Sequence, residues 1–212
     1  MNEQLTGSVF KQMVLHGAAA ITAQKQSIND LNVFPVPDGD TGTNMSMTIN
    51  TAAADLRKKD PQSLEQAASV TASALLRGAR GNSGVILSLL FRGLSKGLKG
   101  MESCDGTAFA NAMQEGVASA YKAVMKPAEG TVLTVSRLAA KRACEVAEEG
   151  GSLEQSWGDF RAMLGAGSIP TVSRESLYAL RNHGVLLILG ALGATPLPGR
   201  LYQRWSKGLQ WI

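Results

Sequence analysis

The 212-residue chain is 44% hydrophobic and 5% aromatic, enough apolar matter for one sizeable core and a balance that favours close-packed helices over a β-sandwich. No run of about 18 apolar residues is present, and Met1-Asn2-Glu3-Gln4 lacks the basic and apolar regions of a secretory signal, so a cytoplasmic protein without a membrane span is expected. The net charge of +4 does not mark a nucleic-acid binder, because residues 1–155 hold fifteen basic and fifteen acidic side chains and the whole excess, six against two, falls in residues 156–212.

Leu5, Val9, Met13, Val14 and Ile21 recur at helical spacing and predict an amphipathic helix over residues 3–25. Residues 30–44 carry Pro35, Pro37, Gly39 and Gly42 and read as an ordered loop. A helix resumes near Thr43 and runs through Leu56; Asp60-Pro61 starts another that runs through Leu75. Arg77 to Gly84 breaks it, and three further helices follow over Val85–Leu98, Thr107–Met125 and Thr131 to about Glu149. Six helices are therefore predicted by residue 150. Beyond residue 155 the chain gathers Trp157, Trp205 and Trp211 and three of its seven prolines, with only Ser173–Leu192 helix-like. The expected division is a helical unit over 1–155 and an atypical segment over 156–212. Cys104 and Cys144 lie in helix-like stretches and suit reduced thiols better than a disulfide.

Chemistry concentrates in the turns. Asp38 and Asp40, two carboxylates across a glycine and fixed behind two prolines, form a compact pair of hard oxygen ligands suited to Mg²⁺, which takes one or two carboxylates together with waters and substrate phosphates. Asp-Gly alone is common turn chemistry. Here, however, Thr41, Gly42, Thr43 and Asn44 follow at once at the start of a helix, where free N–H groups favour a phosphate. Gly81, Asn82, Ser83 and Gly84 repeat the pattern with Arg80 as a charge partner, although a glycine C-cap followed by a Ser83 N-cap would look the same. Gly130-Thr131 repeats it a third time. In an antiparallel bundle, three such turns at alternate connections open at one end. Neither a P-loop nor a dinucleotide fingerprint is present, and His16 and His183 have no nucleophile or carboxylate placed to make them catalytic.

Three stretches carry a resemblance: Leu31 to Met45 (LNVFPVPDGDTGTNM), Gly78 to Ser88 (GARGNSGVILS) and Ala120 to Thr131 (AYKAVMKPAEGT). Together they closely resemble the N-terminal, DhaL-like ATP-binding domain of bacterial fatty acid kinase, which is related to the L subunit of dihydroxyacetone kinase. The resemblance covers about residues 1–155. It implies an all-α, antiparallel eight-helix barrel that holds ATP and two Mg²⁺ at one end. Asp38 and Asp40 would ligate metal, with Asn32 where the dihydroxyacetone kinases carry another aspartate. Thr41, Gly42, Thr43, Asn44, Gly81, Asn82, Ser83, Gly84, Gly130 and Thr131 would line the nucleotide. It further implies phosphorylation of a fatty acid on a carrier protein, or of dihydroxyacetone on a partner subunit in the sister family, and leaves a homodimer open. The domains that help engage the carrier in that family are outside this sequence, so the chain is expected to supply the phosphoryl-donor half.

The tail departs from the pattern. Where the family carries a Gly-Val-Val-Asp-Ser/Ala-Gly-Gly turn, this chain reads Gly184-Val-Leu-Leu-Ile-Leu-Gly190. One codon choice for residues 185–190, read two bases on, gives Val-Val-Asp-Ser-Gly. A change of reading frame near residue 155, replacing the last barrel helices, would account for both the lost turn and the altered composition.

Overall fold

A computed structural model describes residues 4–30, 32, 37–129 and 131–150. Within them lie seven helices: α1 (Gly7–Ala23), α2 (Lys25–Asp30), α3 (Thr41–Lys59), α4 (Leu64–Gly78), α5 (Gly81–Gly97), α6 (Gly106–Ala123) and α7 (Val132–Glu148). Two short strands, β1 (Leu5–Thr6) and β2 (Ser103–Cys104), pair antiparallel. The all-α class is as the sequence implies. What the sequence predicts for residues 156–212, including the helix over Ser173–Leu192 and the altered turn at Gly184–Gly190, falls outside the described residues.

Helical periodicity builds the core. Phe10, Val14 and Ile21 of α1, Ile49 and Leu56 of α3, Leu64 and Leu75 of α4, Leu87 of α5 and Phe109 of α6 are all buried and form one cluster. Each such side chain contributes about 1.5–3 kcal/mol of transfer free energy on burial. The helices alternate in direction. Lys11 pairs with Asp60 while Thr22 bonds Ser46 at the other end of the α1–α3 contact, and Tyr121 near the end of α6 bonds Arg137 near the start of α7. The packing of α5 on α6 is almost backbone to backbone: a Cβ on Gly93 would lie 2.5 Å from the Glu115 carbonyl, and one on Gly97 2.7 Å from the Ala112 Cα. These pairings also run antiparallel. The N-termini of α3, α5 and α7 therefore share one end of the bundle.

Several boundaries differ from the sequence reading. The expected helix over 3–25 starts only at Gly7, after β1, and ends at Ala23, and an unexpected α2 over Lys25–Asp30 lies across the start of α3 so closely that a Cβ on Gly42 would sit 2.2 Å from the Lys25 carbonyl. Hence there are seven helices by residue 150 rather than six. Asp60 ends α3 in a left-handed conformation (φ 44°) instead of starting the next helix, and Ser63 caps α4. At the other end of the bundle from the α3 N-terminus, the β1–β2 pair and the bonds Leu64 N–H to Glu102 O (3.0 Å) and Glu65 N–H to Met101 O (2.9 Å) join the first residues, the α4 start and the α5–α6 connection. Two-residue strands are too short to show alternation in sequence.

Candidate functional site

The helix starts are of two kinds. Thr6, Ser63, Asp105 and Thr131 each accept an N–H of their own helix, those of Val9, Gln66, Ala108 and Leu133, and so cap α1, α4, α6 and α7. Asp40 and Arg80, which stand at the same position before α3 and α5, make no capping bond. Their carbonyls accept from Asn44 (2.9 Å) and Gly84 (3.0 Å) as the first ordinary helical bonds. Thr43 N–H donates to Asn29 Oδ1 at 3.1 Å. Among the described residues nothing accepts from the N–H groups of Thr41 and Gly42, nor from those of Gly81, Asn82 and Ser83. Such uncapped first turns present donors and a positive dipole end to an anion.

These two starts lie side by side, held by polar and glycine contacts between α3 and α5. Thr48 is fully buried; its Oγ1 donates to the Asn44 carbonyl (2.7 Å) and accepts from Arg80 N–H (3.1 Å). A Cβ on Gly81 would fall 2.3 Å from Asn44 Nδ2, and one on Gly84 2.4 Å from Thr48 Oγ1. Gly81 also has φ +57°, which L side chains rarely adopt. Gly81, Asn82 and Ser83 form the first turn of α5 itself, not a loop before it, so Ser83 is not the N-cap that the sequence allowed.

The carboxylates stand immediately before α3. Asp38 and Asp40 are exposed, with Gly39 between them in the left-handed region (φ +64°). Asn32 is 7% exposed and links this turn to the helix: its Nδ2 donates to Asp38 Oδ1 at 2.6 Å, and its Oδ1 accepts from Thr41 Oγ1 at 2.6 Å. Asn29 Nδ2 also donates to Thr43 Oγ1 at 3.0 Å. Asn32, Asp38 and Thr41 are thus in one bonded set, which reaches Thr43 through Asn29, whose carbonyl accepts from Asn32 N–H (3.0 Å); Asn44 follows Thr43 on α3, where Gly81 packs on Asn44 and Gly84 on Thr48. Sequence reasoning missed Asn29 and Thr48. The signal available for Thr48 was a hydroxyl four residues after Asn44, which a helix places on the same face.

Among the described residues no group of three or more His, Cys, Asp or Glu side chains is gathered to hold a metal ion. The donor set is two exposed carboxylates and a carboxamide. That set fits Mg²⁺, which completes its shell with waters and substrate phosphates, better than a cation needing an all-protein cage.

The third turn is built differently. Gly130 lies outside the described residues. Thr131 Oγ1 donates to the Ala128 carbonyl (2.7 Å) and accepts from Leu133 N–H (3.3 Å), so its hydroxyl is engaged within its own turn. Beside it Glu129 accepts from Thr134 (2.7 Å), Arg137 (2.8 Å) and Tyr121 (3.0 Å). The bond from Thr134, then those from Arg137 and Tyr121, hold the Glu129 carboxyl below its ordinary range, while burial pushes Tyr121 up. A depressed carboxyl stabilises the fold above its unfolded-state pKa and loses that contribution as pH falls through the folded-state value. Glu129 is 58% exposed, so the contribution is below about 1 kcal/mol. The Glu129→Gln variant should melt slightly below the parent at pH 7 and converge with it in acid, as thermal melts across pH would record.

His16 is exposed, and both cysteines are free. Burial raises the Cys104 thiol to about 11 and the Cys144 thiol also upward, so neither is an activated thiolate. No helix among the described residues is long and apolar enough to cross a membrane.

The family model described as the DAK2 domain matches residues 35–172, which takes in both carboxylates, both uncapped helix starts and the third turn. The chain belongs to the DAK2 domain family. This DAK2 domain is 48% identical over 145 residues to Protein YloV of Bacillus subtilis (strain 168), an alignment covering 68% of this chain and 26% of YloV. It is 45% identical over 149 residues to Uncharacterized protein SSP1546 of Staphylococcus saprophyticus, covering 70% and 27%. An uncharacterized protein of Staphylococcus epidermidis (strain ATCC 12228 / FDA PCI 1200) is 43% identical over 214 residues, covering 99% of this chain and 37% of the relative. That alignment runs through the segment after residue 155. The chain thus spans roughly a quarter to two-fifths of the length of these relatives.

Proposed function

We propose that this DAK2 domain binds ATP with Mg²⁺ at the corner formed by the starts of α3 and α5, and acts as the phosphoryl-donor half of a cytoplasmic kinase. The observation that carries this reading is the pairing of the two uncapped helix starts with the exposed carboxylates of Asp38 and Asp40. The free N–H groups of Thr41, Gly42, Gly81, Asn82 and Ser83 would hold phosphate oxygens, and the side chains of Thr43, Asn44 and Ser83 would supply further donors. Gly130 and Thr131 would close the site from the third turn, with Thr131 giving up its bond to Ala128 to do so. Asp38 and Asp40 would hold Mg²⁺, with Asn32 orienting Asp38 or joining it; the bound metal would offset phosphate charge.

Phosphoryl transfer depends mainly on positioning and electrostatics, which is what fixed helix starts provide. The proposed acceptor is the carboxylate of a fatty acid held by a carrier protein. Its oxygen lone pair forms the new bond to the γ-phosphorus while the bond to the β–γ bridging oxygen breaks and that oxygen leaves with the electron pair on ADP. An anionic acceptor has no proton to lose, so no general base is required. The sister substrate, dihydroxyacetone, would have to release its hydroxyl proton.

The test is the thermal midpoint of the chain with ATP, with Mg²⁺ and with both. A ligand that binds only the folded state at about 100 times its Kd stabilises by about 2.7 kcal/mol, a rise of several degrees for a domain of this size. The expected rise requires both components; no rise in a cooperatively melting chain would overturn the site. A second reading, a nucleotide-binding module without turnover, is favoured by the departure of Gly184–Gly190 from the family's aspartate-containing turn. ADP release in the presence of an acyl-loaded carrier separates the two.

A further inference from the structure

Resting on the nucleotide reading above, we propose that Arg80 grips the terminal phosphate of the bound nucleotide and makes the corner discriminate a triphosphate from a diphosphate. Arg80 occupies the N-cap position of α5, where short oxygen-bearing side chains are favoured and a cation opposes the helix dipole. It makes no side-chain capping bond there, and among the described residues it forms no ion pair. Its neighbour three residues earlier behaves oppositely: Arg77 is tied to Asp55 at 2.7 Å. Arg80 thus gives the helix nothing in return for an unfavourable placement.

The backbone around it is nonetheless fixed. Its N–H is held by Thr48 Oγ1 (3.1 Å), and its carbonyl accepts from Gly84 (3.0 Å). Gly78 before it is packed so that a Cβ would meet Thr51 Oγ1 at 2.4 Å, and Gly81 after it packs on Asn44. The loop is therefore pinned to α3 on both sides of Arg80, one residue before α5, just as Asp40 stands one residue before α3. A pinned backbone beside two donor-rich turns, carrying an exposed guanidinium that forms no ion pair among the described residues, is suited to bidentate contact with a phosphate. The N–H groups of the two turns would suffice for the phosphates shared by ADP and ATP, so the guanidinium is assigned to the group that only ATP has.

The experiment compares the full chain with its R80Q, R80N and R80K variants, measuring by calorimetry the affinity for ADP and for the non-hydrolysable β,γ-imido analogue of ATP, each with Mg²⁺, together with the melting midpoint. Loss of a bidentate charge-assisted contact should weaken the analogue about tenfold or more in R80Q and R80N, and less in R80K. ADP affinity should stay within about twofold, since loss of that contact alone would touch only the terminal phosphate. R80N should melt no lower than the parent, because asparagine is a better N-cap than arginine; a midpoint lowered in all three variants would mean that Arg80 serves the fold. Unchanged analogue affinity, or equal losses for ADP and the analogue, would overturn the assignment to Arg80 while leaving the nucleotide site standing. Failure of the unaltered chain to bind either nucleotide would overturn both.

Discussion

Replacing Asp38 or Asp40 by alanine is expected to reduce Mg²⁺-dependent ATP affinity by about 100-fold or more, equivalent to roughly 2.7 kcal/mol, with helical content unchanged. Both carboxylates are exposed and precede α3, so neither removes core packing. The two variants should differ in stability. Asp40→Ala loses no side-chain bond within the described residues and should melt with the parent. Asp38→Ala removes the acceptor of the Asn32 amide, which is 7% exposed, and should cost about 1 kcal/mol. Isothermal titration with ATP and Mg²⁺, beside circular dichroism melts, reads both effects. Parent-like affinity in both variants would remove the metal role from this turn.

The largest loss of stability is expected at the α5–α6 contact. A Cβ on Gly93 would stand 2.5 Å from the Glu115 carbonyl and 2.7 Å from the Gly116 Cα, and one on Gly116 would stand 2.6 Å from the Leu90 carbonyl. These neighbours are backbone atoms inside helices and cannot rotate away. Gly93→Val or Gly116→Val must force the helices apart, at a cost of about 3 kcal/mol or more, which corresponds to a fall of roughly 6–12 °C for a domain of this size. Thermal melts and urea titration would measure it; a midpoint within a degree or two of the parent would show that the helix pair has slack. Gly100, around which a Cβ would meet nothing within 4 Å but which has φ +79°, is a useful contrast. Alanine there tests backbone conformation without crowding.

Much of this arrangement was legible from residue type and spacing. The six long helices follow the repeat of apolar positions, but the interruption expected over Arg77–Gly84 narrows to Ala79 and Arg80, with the flanking glycines taken into α4 and α5, while the connection between α6 and α7 holds Pro127. The concentration of carboxylates, hydroxyls and glycines in residues 38–44 and 81–84 marked the corner as chemically distinct. What could not be read were features set by contacts distant in sequence. The division at Gln24 depends on α2 packing over Gly42, and the β1–β2 pair joins residues nearly a hundred positions apart. The role of Thr48 depends on Arg80 arriving beside it from another helix. Ser83 and Thr131 show the local limit. Both are hydroxyls beside glycines at helix starts, yet Thr131 is the cap of its helix and Ser83 lies inside the first turn of its own. With Arg80 at the N-cap position, α5 begins at Gly81 (φ +57°), three residues before the start a Ser83 cap would set.

The pairing of Leu5–Thr6 with Ser103–Cys104 also joins residues much farther apart in sequence than the bonds of the corner do. During synthesis the first strand emerges long before its partner exists, and closing so long a loop is entropically slow. The opposite end of the bundle is assembled from shorter-range bonds, Asn29 to Thr43 and Thr48 to Arg80, which become available as soon as α3 and then α5 have been made. The corner thus rests on bonds between residues at most 32 positions apart, whereas the clasp at the far end ties together parts of the chain nearly a hundred positions apart.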